Sequence, residues 1–126
     1  MIDLRQTSTQ ALAYLGDCVI EMCVREQLVE SGISSSGRLN EAALSFVRAG
    51  AQAEAMKRIL PLLSEEEEGY FRRGRNIGHS SVPKNATVSD YRTATGMEAL
   101  FGFLHLAGRQ ERIKELFAAA YPASVQ

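Results

Sequence analysis

No run in the 126 residues is apolar enough to span a membrane, and the opening Met-Ile-Asp-Leu-Arg-Gln lacks the basic start and apolar stretch of a secretory signal. These absences predict a cytoplasmic protein without membrane contact. Cysteine is scarce: Cys18 and Cys23 lie five apart on a predicted helix and face different ways, which argues against an intrachain disulfide and makes both ordinary packing residues. Neither forms a zinc spacing or a catalytic triad with His79 or His105. Phosphate-cradling glycine motifs, alternating strand patterns, internal repeats and linkers are also missing. The Asn85-Ala86-Thr87 sequon carries no weight without a secretory signal.

What remains is a chain of 45% hydrophobic residues, enough for a core, which reads as one all-α domain over residues 1–126. Leu12, Leu15, Val19 and Met22 recur at helical spacing and predict a helix from about Thr9 to Val29, stopped by Ser31-Gly32. After Ser34-Ser35-Ser36, the positions Leu39, Ala43, Phe46 and Val47 predict a second helical region reaching about Leu60, with a break near Gly50. Ser64 is a plausible N-cap for a helix that fades near Arg75, and Glu65 to Glu68 read as its solvated acidic start. Residues 76–88 have no helical stripe and form a loop of a length that is often functional. Helices from about Ser89 to Ala107 and Arg109 to Ala119 complete the prediction.

Charge is unevenly placed. Between Gly69 and Arg92 five basic residues, Arg72, Arg73, Arg75, Lys84 and Arg92, face the single acid Asp90, giving +4 in a chain of net charge −1. A basic segment in an otherwise acidic protein points to a local polyanion site. Together with Asn76 and Asn85, these side chains offer charge for phosphates and polar groups for sugar hydroxyls, as shape-based recognition of double-stranded RNA requires.

Asp17 and Glu98 are lone carboxylates within apolar helical stretches, Leu-Ala-Tyr-Leu-Gly-Asp and Thr-Gly-Met-Glu-Ala-Leu-Phe-Gly. Burying an ionised acid is costly unless something pairs with it. Two readings follow: the acids share a metal ion, or each makes a structural pair with an arginine or a helix end. Glu21 is most simply a surface acid interacting with Arg25. Metal-holding acids beside phosphate-binding arginines make phosphodiester cleavage the economical joint reading.

At these residues the chain resembles the ribonuclease III catalytic domain. Residues Leu12 to Asp17 look like that family's Leu-Glu-Phe-Leu-Gly-Asp signature, and Glu98-Ala99-Leu100-Phe101-Gly102 looks like its Glu-Ala-Leu-Ile-Gly. The Mini-ribonuclease III branch is more similar still, through Arg73-Gly74-Arg75-Asn76, Val82-Pro83-Lys84-Asn85 and Tyr91-Arg92, and the resemblance extends over about residues 7–118. It implies an all-α endonuclease forming a two-fold homodimer, with Asp17 and Glu98 as catalytic groups and Mg²⁺ ligands. It further implies hydrolysis of double-stranded RNA and, from the branch, trimming of a precursor 23S ribosomal RNA stem, presented by a ribosomal protein or pre-ribosomal particle. Where the larger family carries further acids this chain has Gln10, Ala13 and Thr95, which leaves the number of ions open. The rival expectations are a non-catalytic helical RNA-binding ribosome-assembly factor and a helical protein interaction domain.

Overall fold

A computed structural model describes residues 2–77 and 86–123. His79, Lys84 and Asn85 lie outside the described residues, as does most of the 76–88 loop. The described residues form six α-helices: α1 (Thr9–Glu30), α2 (Ser36–Val47), α3 (Ala49–Ile59), α4 (Glu65–Arg75), α5 (Val88–Leu106) and α6 (Gln110–Ala120). A short 3-10 turn, Leu60–Leu62, follows α3.

Local chemistry starts and stops these helices. The Ser8 hydroxyl accepts from the Ala11 amide at 3.1 Å, and Gly32, with φ of 91°, turns the chain after α1. The predicted break near Gly50 instead falls at Arg48, whose extended backbone (ψ 146°) ends α2 and begins α3 while Gly50 stays helical. This turn leaves α2 against α1 and redirects α3 onto α5.

At α4 the Ser64 hydroxyl accepts from the Glu67 amide at 3.2 Å, and the Glu67 carboxylate accepts from the Ser64 amide at 2.8 Å. This reciprocal capping box satisfies two donors that the first turn would otherwise leave open. It also corrects the expectation of a wholly solvated acidic start, because Glu67 is only 3% exposed. Its carboxylate is held from α6 by Arg112, at 2.8 and 2.9 Å, and Arg112 also donates to the Leu62 carbonyl.

The hydrophobic core closes around α5, which packs against α1, α3, α4 and α6. Met97, Ala99, Leu100, Phe101 and Leu104 are fully buried on it, covering most of its circumference, as expected of a helix that is apolar all round. On α1 the inward stripe is Leu12, Val19, Ile20, Val24 and Leu28. Two expected packing residues are not inside: Met22 is 58% exposed and Cys18 is exposed, on the outer side of α1. Cys23 does pack against the core, and burial pushes its thiol up to about 11.

Candidate active site

The site grows from a close crossing of two helices. A Cβ placed on Gly16 would lie 1.6 Å from the Glu98 carbonyl oxygen, and one on Gly102 would lie 2.0 Å from the Leu12 carbonyl oxygen. Only glycine permits such backbone contact. Pairing 16 with 98 and 12 with 102 also sets α1 and α5 antiparallel at the crossing. Asp17, next in sequence to Gly16, is thereby delivered to Glu98.

The two carboxyl groups interact directly. Burial is the largest influence on half-buried Glu98, followed by the charge of Asp17 and a side-chain hydrogen bond with it, and together they push its carboxyl up to about 8. A neutral carboxyl on one acid lets it donate to the other, which is how two acids coexist at this distance without a counter-ion. Among the described residues, no lysine or arginine acts on Glu98. The interaction-domain expectation, in which each acid makes its own ion pair, finds no such pair among the described residues, where the acids instead face each other.

A divalent cation suits this donor set. Two carboxylates on rigid helices, one exposed and one half-buried, would each be stabilised in the charged form by a shared hard cation. Among the described residues no third His, Cys, Asp or Glu joins them. Ala13 is buried in the core, and the Thr95 hydroxyl donates to the Tyr91 carbonyl at 3.0 Å, so neither position supplies another acid. Glu21 turns to Arg25 at 3.1 Å, as expected of a surface pair.

The basic residues approach α5 through α4. A Cβ on Gly74 would meet Ala99, Gly96 and the Thr95 carbonyl at 2.6 to 2.9 Å, so the end of α4 lies on the α5 turn that carries Glu98. Arg73 and Arg75 flank this contact and are exposed, with guanidinium groups 5.0 Å from the Tyr70 ring and 5.8 Å from the Phe71 ring. Stacking on these rings limits their wandering while leaving their N–H edges for anions. Arg72 pairs with Glu68 on its own helix, which partly neutralises it. Asn76 caps α4, and Arg92 is exposed near the start of α5. His105 is exposed and in hydrogen-bond contact with Gln110 at 3.1 Å.

Comparison with known proteins agrees with this geometry. The ribonuclease III domain matches residues 10–109, which include both acids and the helices that hold them. A Mini-ribonuclease 3 from Brevibacillus brevis is 42% identical over 119 residues, covering 94% of this chain and 89% of the relative. One from Symbiobacterium thermophilum is 45% identical over 109 residues, covering 86% and 84%. A crystal structure of a Fusobacterium nucleatum protein superposes with a TM-score of 0.83 at 32% identity, covering 93% of each chain. With its helical architecture, its crossing and its two acids in the matched span, this chain belongs to the ribonuclease III family of endonucleases and resembles the Mini-ribonuclease 3 proteins within it.

Proposed function

We propose that this chain, acting as one catalytic domain over residues 1–126, is a Mg²⁺-dependent endoribonuclease that cleaves double-stranded RNA. The observation that carries the reading is the Asp17–Glu98 pair, in which two carboxyl groups face each other and neither makes an ion pair among the described residues. Bound Mg²⁺ supplies Lewis acidity toward a phosphate oxygen and lowers the pKa of coordinated water. Asp17 and Glu98 would hold it, and the α1–α5 backbone contact keeps them from spreading apart under the load of a charged ligand.

Arg73 and Arg75, beside the acids, would bind backbone phosphates and carry no base information, which suits recognition of a duplex by shape. Arg72, Asn76, Lys84, Asn85 and Arg92 belong to the same proposed surface. The relatives named Mini-ribonuclease 3, together with the resemblance to that branch, favour a paired 23S ribosomal RNA precursor stem in the cytoplasm as the substrate, presented within a pre-ribosomal particle.

A two-fold homodimer completes the proposal. Tyr14, Cys18 and Met22 stand one turn apart on the outer face of α1, with Tyr14 86% and Met22 58% exposed. An apolar stripe left in water beside Asp17 suits contact with a second copy, and two copies would present one acidic pair for each strand of a duplex.

The test is incubation of an end-labelled RNA stem with the purified protein in Mg²⁺ or in EDTA, beside Asp17→Asn. The expected result is staggered cutting that needs the metal and is lost in a variant that melts like the wild type. Cutting by Asp17→Asn at the wild-type rate would overturn the site. RNA binding without cutting by the wild type would leave a non-catalytic ribosome-assembly factor.

A further inference from the structure

A cavity of about 530 Å³ opens where the far end of α1 meets α2, α3 and the residue after α6. That volume lies in the range of small-molecule sites, about 300–1,000 Å³. Leu28 and Ser31, which line it, are eleven and fourteen residues beyond Asp17 on α1 and its cap, roughly 16–21 Å along the helix axis at 1.5 Å per residue. It is therefore separate from the acids and from the basic end of α4.

Most of its lining is apolar, from Leu28, Ile33, Ala42, Phe46 and Ala51, together with the ring of Tyr121. The Phe46 and Tyr121 rings meet at 5.1 Å with a 50° tilt, and the Tyr121 hydroxyl donates to the Phe46 carbonyl at 2.7 Å. This hydrogen bond locks an aromatic corner, so little ordering entropy remains to be lost when a flat group packs there.

One cation reaches the same space. Arg58 is half-buried and its Nε donates to the Ala120 carbonyl at 2.7 Å, but among the described residues it makes no ion pair. Glu54, also at the rim, is 63% exposed and is paired with Lys57 at 3.1 Å. A half-buried guanidinium that makes no ion pair among the described residues, beside a rigid aromatic corner, is suited to a ligand with one anionic end and one flat apolar end.

We propose that this cavity is a binding site for a small amphipathic anion, an aromatic ring system carrying a single carboxylate or sulfonate, with Arg58 as its counter-ion. A nucleic-acid backbone fits it poorly, because a repeating polyanion meets one cation among the described lining residues, and the Ser31, Ser45 and Tyr121 hydroxyls already donate to main-chain carbonyls.

The test uses anilinonaphthalene sulfonate and its uncharged parent, phenylnaphthylamine, on the full chain. Saturable fluorescence enhancement is expected from both probes at one per chain. Arg58→Gln should weaken the sulfonate about tenfold, the loss of one charge-assisted hydrogen bond, and leave the neutral probe unchanged. Ala42→Phe, which fills the cavity from α2, should abolish both. Ala51→Leu blocks it from α3 and serves if Ala42→Phe melts early. Wild-type-like binding by both blocked variants would place the probes elsewhere, for instance on the exposed α1 stripe, and would overturn the proposal. So would an absence of saturable binding, or an equal loss of both probes in Arg58→Gln.

Discussion

Gly16→Ala subjects the site and the fold to one perturbation. The added Cβ would sit 1.6 Å from the Glu98 carbonyl oxygen, whereas ordinary contacts begin at 3.4 Å, so α1 and α5 would have to part by nearly 2 Å. The obstructing atom belongs to the α5 backbone and cannot rotate away. Overpacking usually costs about 1–3 kcal/mol, and a clash with helix backbone belongs at or above the upper end. For a chain of this size that corresponds to a fall in Tm of about 10 °C or more. Activity should suffer further, because a misplacement of about 1 Å in a catalytic group can cost about 100-fold. Circular-dichroism melts and cleavage of an end-labelled duplex, at a temperature where the variant is folded, separate the two losses. Gly69→Ala is the control: nothing lies within 4 Å of its added Cβ, so helix propensity alone should stabilise the chain by about 0.5–1 kcal/mol. If Gly16→Ala melted and cut like the wild type, the crossing would not be the element that sets the acids together.

In EDTA, stability should fall as pH rises toward 8, because folded Glu98 keeps up to about pH 8 a proton that the unfolded chain releases near its ordinary 4.5. The shift sets a ceiling of about 5 kcal/mol, and solvent contact brings the expected change to about 2 kcal/mol. Glu98→Gln should remove this dependence, so melts of that variant that still weaken between pH 5 and 9 would contradict the assignment. Glu67 behaves oppositely: its hydrogen bond from Arg112 holds its carboxyl below the ordinary 4.5, so its contribution is present above that value and is lost as pH falls through the lowered one. Glu67→Ala leaves Arg112 unpartnered by that carboxylate and should cost about 2–4 kcal/mol in urea denaturation, with unchanged stability the refuting result. Changing Arg75 and Arg92 together to Ala should weaken duplex binding and reduce the slope of log affinity against log salt by about 2, and an unchanged slope would remove them from the RNA surface. Tyr14→Lys should shift the chain toward monomer in sedimentation, and an unaltered mass would move the proposed dimer face elsewhere.

Helix positions were readable because their causes are local. Apolar periodicity marked α1, a strongly apolar stretch marked α5, and Ser64 before a run of acids marked the start of α4. Asp17 and Glu98 stood out as lone acids in apolar surroundings, and the family motifs lent them weight. That they meet depends on backbone contact at Gly16 and Gly102, which sequence spacing does not register. Glu67 was hidden among four consecutive glutamates, and its partner Arg112 lies 45 residues away. Helical spacing also grouped Met22 with the core although it stands in solvent, because an exposed apolar stripe and a core stripe have the same periodicity. The break at Arg48 rather than Gly50 has no sequence mark, since arginine is a good helix former and glycine is not.

Residue 98 takes part in the helix crossing through its main-chain oxygen and in the acidic pair through its side chain. The two contributions are therefore chemically separable. Exchanging the carboxylate for an amide should leave the architecture untouched, since an amide can still donate to Asp17 as the neutral carboxyl does. On the proposed function, a chain altered in that way would be a folded decoy, able to hold duplexes it does not cut. Crosslinked to RNA in cell extract and sequenced, such a decoy would report natural targets before their ends are lost to processing.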